Sequence, residues 1–220
     1  MDRERQILDA AAALFYEKGF HGVGVDEIGQ RVGISGPALY RHFSGKDEIL
    51  AALFNEAVEE LIGATAAVYT DPHRDLERLV RHHVEFAIDH RHLVNVYERE
   101  EKSLAQPWKQ HFQRRQRHYA SRWDEALTRC FPDSSPEQIA AGAQAAIGMI
   151  HSVAHWPRGA RNTPDLPDLL YRLVTYGLAA LETGGGAGGA DHAAPEGKAQ
   201  REPASAKARR PRRTARTKAA

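Results

Sequence analysis

The stretch "RVGISGPALYRHFSGKDEIL", residues 31–50, decides the fold. Gly33 is free to take the left-handed backbone that a tight turn between helices needs. Ile34 follows as an apolar plug, and Ser35 is a strong N-cap for a helix with Pro37 in its first turn. The spacing predicts a helix over 25–32, a turn, and a helix over 36–43, which together form a helix-turn-helix. Ser44 is expected to cap a fourth helix, with Asp47 at its N3 position as a weaker capping box. Ile49, Leu50, Leu53, Phe54, Ala57, Val58 and Leu61 continue that helix as an apolar face. From spacing alone, such a corner serves a plain helical bundle as well as it serves a reader of nucleic acid.

Outward from this stretch the periodicity stays helical. Upstream, Ile7, Leu8, Ala11, Leu14 and Phe15 form one stripe, and Lys18-Gly19 ends a helix over 3–18. Beyond Asp71-Pro72, longer periodic segments predict helices over 74–90, 92–105, 107–131, 136–156 and 167–183. Pro107, Ser135-Pro136 and Pro167 introduce the last three, and "WPRGARNTPDLP" between the final two reads as a loop. The expected fold is all-α, with a helix-turn-helix domain at 1–46, a helical domain at 47–183 and a tail at 184–220.

Charge separates the tail from the rest. Residues 184–220 hold nine Lys/Arg against three Asp/Glu, and residues 1–183 hold 21 against 26. The tail opens with "GGGAGGA" and has no large apolar side chain, so it is expected to remain disordered. Arg209, Arg210, Arg212, Arg213, Arg216 and Lys218 could serve as a nucleic-acid arm or as a solubilising tail. A single cysteine, Cys130, fits a reducing compartment. No apolar run approaches the ~20 residues of a membrane span, and the N-terminus lacks a signal-peptide pattern, which predicts a cytoplasmic chain without a membrane partner. No phosphate loop, nucleophile elbow or zinc-protease motif occurs, so no catalytic residue, cofactor or metal is expected.

With Ile28, Val32, Ile34 and Leu39 assigned to the interior, the third helix presents Gly36, Pro37, Ala38, Tyr40, Arg41 and His42, with Lys46 just beyond. Small residues at its start permit close approach to phosphates or base edges. Tyr, His and Lys donate to phosphate oxygens, and Arg suits a guanine edge. Residues 7–54, with "ALFYEKGF", "DEIGQRVGIS" and "LYRHFSGKDEIL", resemble the N-terminal signature of the TetR family of transcriptional regulators. That resemblance implies three helices docking in the major groove of double-stranded DNA and a fourth leading to a helical ligand domain. It also implies a homodimer through the last two helices. Tyr40, His42 and Lys46 then resemble the family's phosphate contacts, while Ala38 and Arg41 lie on its recognition surface. Gly24 stands where many members have Ser or Thr, and Gly36-Pro37 stands where a polar or basic residue followed by Gly or Ala is common. The first 50 residues carry six Lys/Arg against eight Asp/Glu, so affinity for DNA has to rest on a local cluster.

A regulator of this kind implies a small-molecule effector site. Phe86, Tyr97, Trp108, Phe112, Tyr119, Trp123 and His151 are the candidates, although aromatic stripes build packed cores as readily as pockets. Arg114, Arg115, Arg117 and Arg122 beside Tyr119 and Trp123 suit an apolar anion such as an acyl-coenzyme A. Histidines are dense here. His151 and His155 stand one helical turn apart, with His83 or Glu85 as a third metal ligand, but their arginine-rich surroundings favour solvated surface. Glu98, Arg99, Glu100, Glu101 and Lys102 likewise read as a solvated face. Ala141, Ala145 and Gly148 with Leu170, Val174 and Leu178 form the expected dimer seam, which could equally be an intrachain core. Ligand binding is expected to move the fourth helix, with Phe54 as lever, and to release a palindromic operator. Two rival readings remain: an architectural DNA-binding protein dominated by its tail, and a small-molecule carrier or enzyme with a vestigial helix-turn-helix.

Overall fold

The structure, a computed structural model, describes residues 2–185, and all but the start of the expected basic tail lies outside them. Within that span the regular elements are helical, and no helix is long and apolar enough to cross a membrane. The head consists of α1 (Arg3–Lys18), α2 (Val25–Arg31) and α3 (Gly36–Leu39). The long α4 (Lys46–Ala64) leaves it and runs into a bundle of α5 (Pro72–Asp89), α6 (Arg91–Glu100), α7 (Trp108–Cys130), α8 (Pro136–His151), the short α9 (Arg158–Arg161) and α10 (Leu166–Leu178).

The helix stripes account for the packing. Ile7, Leu8, Ala11, Leu14 and Phe15 of α1 are all buried, as are Ile49, Leu50, Leu53 and Phe54 of α4. Full burial of one such side chain contributes about 1.5–3 kcal/mol. Farther along α4, Val58 and Leu61 join the core of the bundle, so one helix is built into both halves. Asp71 caps α5 through the His73 N–H at 3.0 Å, and Ser135 caps α8 in a complete capping box with Gln138.

Several boundaries differ from the sequence expectation. Helix α3 stops at Leu39, and Arg41 and His42 donate to the carbonyls of Ala38 and Leu39 three residues back, which tightens the chain into turns. Ser44 does not cap α4: Gly45 holds the cap position, and the Ser44 backbone N–H donates to the Glu48 carboxylate at 2.6 Å. Helices α6, α8 and α10 give way to 3-10 turns at 101–103, 152–155 and 179–185. The segment expected to be a loop after Trp156 contains α9.

Candidate nucleic-acid interface and ligand cavity

In the helix-turn-helix, Gly33 takes a φ of 71°, and the Ser35 side chain accepts the Ala38 N–H at 3.3 Å. Ile28 and Leu39 are fully buried and fix the angle between α2 and α3. Pro37, Tyr40 and Arg41 face solvent, Tyr40 with 56% of its surface exposed, and Ala38 is half-buried. Three residues expected at the reading surface are otherwise engaged. Gly36 is buried, and a Cβ there would lie 2.1 Å from the Asp26 carboxylate, so glycine makes room inside the head. His42 is exposed, but its Nδ1 lies 3.6 Å from Glu4. Lys46 turns back: its Nζ donates to the carbonyls of Phe20 and Val23, both at 3.2 Å, and sits over the Phe20 ring at 4.6 Å.

That lysine is half of a clamp on the loop between α1 and α2. The other half is Glu100, read from sequence as solvated but in fact buried, whose Oε1 accepts the Phe20 N–H at 3.1 Å. Its second oxygen accepts from Ser103, which also meets His21. Arg99 reaches the Tyr16 carbonyl at 3.5 Å, and His92 stacks on Tyr16 with ring centroids 4.1 Å apart. The one signal for Glu100 in the sequence is that it stands one helical turn after the buried Val96.

Within the bundle is a cavity of about 470 Å³, inside the range of small-molecule sites. Helix α4 provides one wall through Phe54, Ala57, Val58 and Leu61, and α6 another through Leu93, Val94 and Tyr97. Phe86, Tyr97, Phe112, Tyr119 and His151, among the expected pocket residues, line it; Trp108 and Trp123 do not. Trp123 is fully buried and sets its ring against His83, and Trp108 packs on the core from outside.

The polar part of the lining forms a chain. His83 Nε2 and His151 Nε2 lie 3.0 Å apart, and the Tyr119 hydroxyl lies 3.0 Å from His83 Nδ1. Burial, with His151 alongside, pushes His83 well below its ordinary value, and burial lowers His151 too despite Glu98 nearby. Both rings are therefore neutral near pH 7. His155 does not join His151 as a ligand pair; it contacts Glu98 and Asn95, while Glu85 lies by His82. Among the described residues, no group of three or more His, Cys, Asp or Glu side chains is placed to hold a metal ion.

The expected dimer seam divides. Ala141, Ala145 and Gly148 of α8 are exposed, and Gly148 also borders the cavity. Leu170, Val174 and Leu178 are at most 4% exposed and belong to the chain's own core. Besides Ala141, Ala145 and Gly148, the large apolar side chains exposed on α8 and α10 are Met149, Leu173 and Tyr176, at 38, 46 and 76%.

A helix-turn-helix head joined by one long helix to a hollow helical bundle is the architecture of a transcriptional regulator. Residues 7–53 match the model of the bacterial regulatory proteins of the tetR family, and residues 69–178 match the tetracyclin repressor-like C-terminal domain. The chain belongs to the TetR family. It is 43% identical over 61 residues to the transcriptional activator FasR of Mycolicibacterium smegmatis, covering 28% of each chain. It is 30% identical over 129 residues to the transcriptional repressor KstR2 of Mycobacterium tuberculosis, covering 57% of this chain and 64% of the relative. In both, the match spans less than two thirds of the relative's length. The fold is that of the KstR2 structure, with a TM-score of 0.70 at 21% identity over 81% of this chain and 94% of the other. It is also that of AibR in complex with isovaleryl coenzyme A and operator DNA, with a TM-score of 0.68 at 19% identity over 80% and 97%.

Proposed function

We propose that this chain is a homodimeric, operator-binding repressor that a small, mostly apolar molecule releases from DNA. The observation that carries this reading is the span of α4. Its middle walls the cavity with Phe54, Ala57, Val58 and Leu61, while Lys46 at its start grips the Phe20 and Val23 carbonyls of the head. A ligand that favours one position of α4 therefore shifts the population of head orientations. Two-fold pairing through the outer face of α8 and α10 would then set the separation of two heads on a palindromic site.

Residues 1–46 act as the DNA-binding domain and 47–183 as the ligand-binding and dimerisation domain, with the basic tail over 184–220 adding sequence-independent attraction to DNA. Tyr40 donates to phosphate, Arg41 reads base edges, and Pro37 and Ala38 allow close approach. The apolar cavity lining suits an acyl chain, and the isovaleryl coenzyme A held by AibR supports the acyl thioesters as a ligand class.

Selection of duplexes from a random-sequence pool by the full chain tests the reading. The expected product is a two-fold symmetric motif with half-sites about 34–36 Å apart or a multiple of that. Arg41→Ala should relax one position of each half-site. Enrichment of no motif over bulk DNA contradicts the reading.

A further inference from the structure

Helix α7 carries a run of arginines whose partners differ sharply. Arg115 pairs with Glu59 at 2.5 Å, and Arg129 with Asp75 at 2.9 Å. Arg122 bonds the Thr65 carbonyl at 2.9 Å and lies 3.4 Å from Glu125. Arg117, whose sole bond is to the Gln113 carbonyl at 3.3 Å, has no acidic partner among the described residues. It is exposed, and it is the one lining residue of the cavity with a permanent charge. Arg114, one turn earlier on the helix, is exposed as well and has no ion pair among the described residues. An unpaired guanidinium at the rim of an apolar cavity is a ready partner for an anion outside it.

The inner end offers the opposite chemistry. Glu98 beside His151 Nδ1 favours the tautomers in which the Tyr119 hydroxyl donates to His83 Nδ1 and the His83 proton, on Nε2, is donated to His151 Nε2. The His151 proton then sits on Nδ1, facing Glu98 Oε1 at 3.9 Å. This assignment makes every bond of the chain, and it leaves no cation inside and a carboxylate behind His151. A second negative charge carried inward would be desolvated without a partner.

We infer that the cavity takes an amphipathic anion in one orientation, with an uncharged acyl chain inside and its anionic head outside on Arg117 and Arg114. Arg117 is then the residue that selects anionic over neutral ligands. The inference rests on the cavity being the ligand site. A free fatty acid and an acyl-coenzyme A share this chemistry, and the experiment separates them.

Isothermal titration of the full chain with dodecanoate, dodecanoyl-coenzyme A, dodecanol and dodecanedioate, in the absence of DNA, tests it. At least one of the first two should bind about tenfold more tightly than dodecanol and dodecanedioate. Tight binding of the thioester alone identifies acyl-coenzyme A as the source; tight binding of dodecanoate identifies the free acid. Arg117→Gln should lower affinity for the anion about tenfold while leaving dodecanol unchanged. Arg115→Gln, a control on the same helix, should leave all affinities unchanged. Equal binding of dodecanol and both anions, an equal loss of dodecanol in Arg117→Gln, or no binding by any probe overturns the inference. If the pattern appears but the ligand leaves operator affinity untouched, the regulatory reading fails and this one stands. If release is driven by effectors whose affinity ignores Arg117, the reverse holds.

Discussion

The Glu100 carboxylate of α6 accepts the backbone N–H of Phe20, 80 positions earlier in the chain, at 3.1 Å in a buried setting. Lys46 of α4 takes the carbonyl of the same residue at 3.2 Å. The two helices that wall the cavity thus hold both polar groups of one residue in the head. Glu100→Ala leaves a buried donor without an acceptor and should cost about 1–3 kcal/mol. Glu100→Gln keeps an acceptor oxygen and should cost about 1 kcal/mol or less. Urea midpoints measure both, and equal midpoints for the wild type and Glu100→Ala would remove the clamp from the account.

Gly36 predicts a coupled pair of substitutions. Gly36→Ala forces the Asp26 carboxylate out of its place, because the new Cβ would stand 2.1 Å from it. Asp26 is exposed and its carboxylate can swing into water, so the expected loss is about 1 kcal/mol or less. In an Asp26→Ala background the same change should cost almost nothing, and a double-mutant cycle by thermal unfolding reads the difference. Additive losses would show that Gly36 matters for another reason.

Acid should loosen the bundle. His83 and His151 titrate below the ordinary 6.5 in the folded chain, so the unfolded chain takes up their protons first. Their contribution to stability is complete above about pH 7 and is lost as pH falls below 6.5 toward their folded values, at up to about 1.4 kcal/mol per pH unit for each group. Denaturation midpoints at pH 7.5 and 5.5 should diverge less in His83→Gln than in the wild type. An identical divergence in the two proteins would place the acid sensitivity elsewhere among the 12 histidines and the carboxylates.

On the outer face, Tyr176→Asp should yield a folded monomer, since the side chain is 76% exposed in the single chain. Leu170→Asp, at a fully buried position, should instead fail to fold. Sedimentation equilibrium with circular dichroism separates the two outcomes. A Tyr176→Asp protein that remains dimeric rules out this face as the contact.

How far the sequence could be read depended on whether a residue's job is local. Gly33, Ser35 and the stripes of α1 and α4 were legible because turn conformation, capping and helix periodicity act within a few residues. Lys46 and Glu100 were misread as outward-facing because their partners, the peptide groups of Phe20 and Val23, are joined to them by tertiary packing alone. The α10 stripe was found, but periodicity says which residues share a face and not what covers it. Leu170, Val174 and Leu178 therefore looked like a seam although they fill the chain's own core. For Trp123 and Tyr119, one turn apart on α7, nothing in the sequence distinguished the core residue from the one lining the cavity.

Operator affinity in the presence and absence of a saturating cavity ligand tests the central claim most directly. Fluorescence anisotropy on a duplex enriched from the random pool should show the ligand weakening operator binding by tenfold or more, about 1.4 kcal/mol of coupling. The operator should weaken ligand binding by the same factor. Ligand bound in the cavity with operator affinity unchanged would contradict the account.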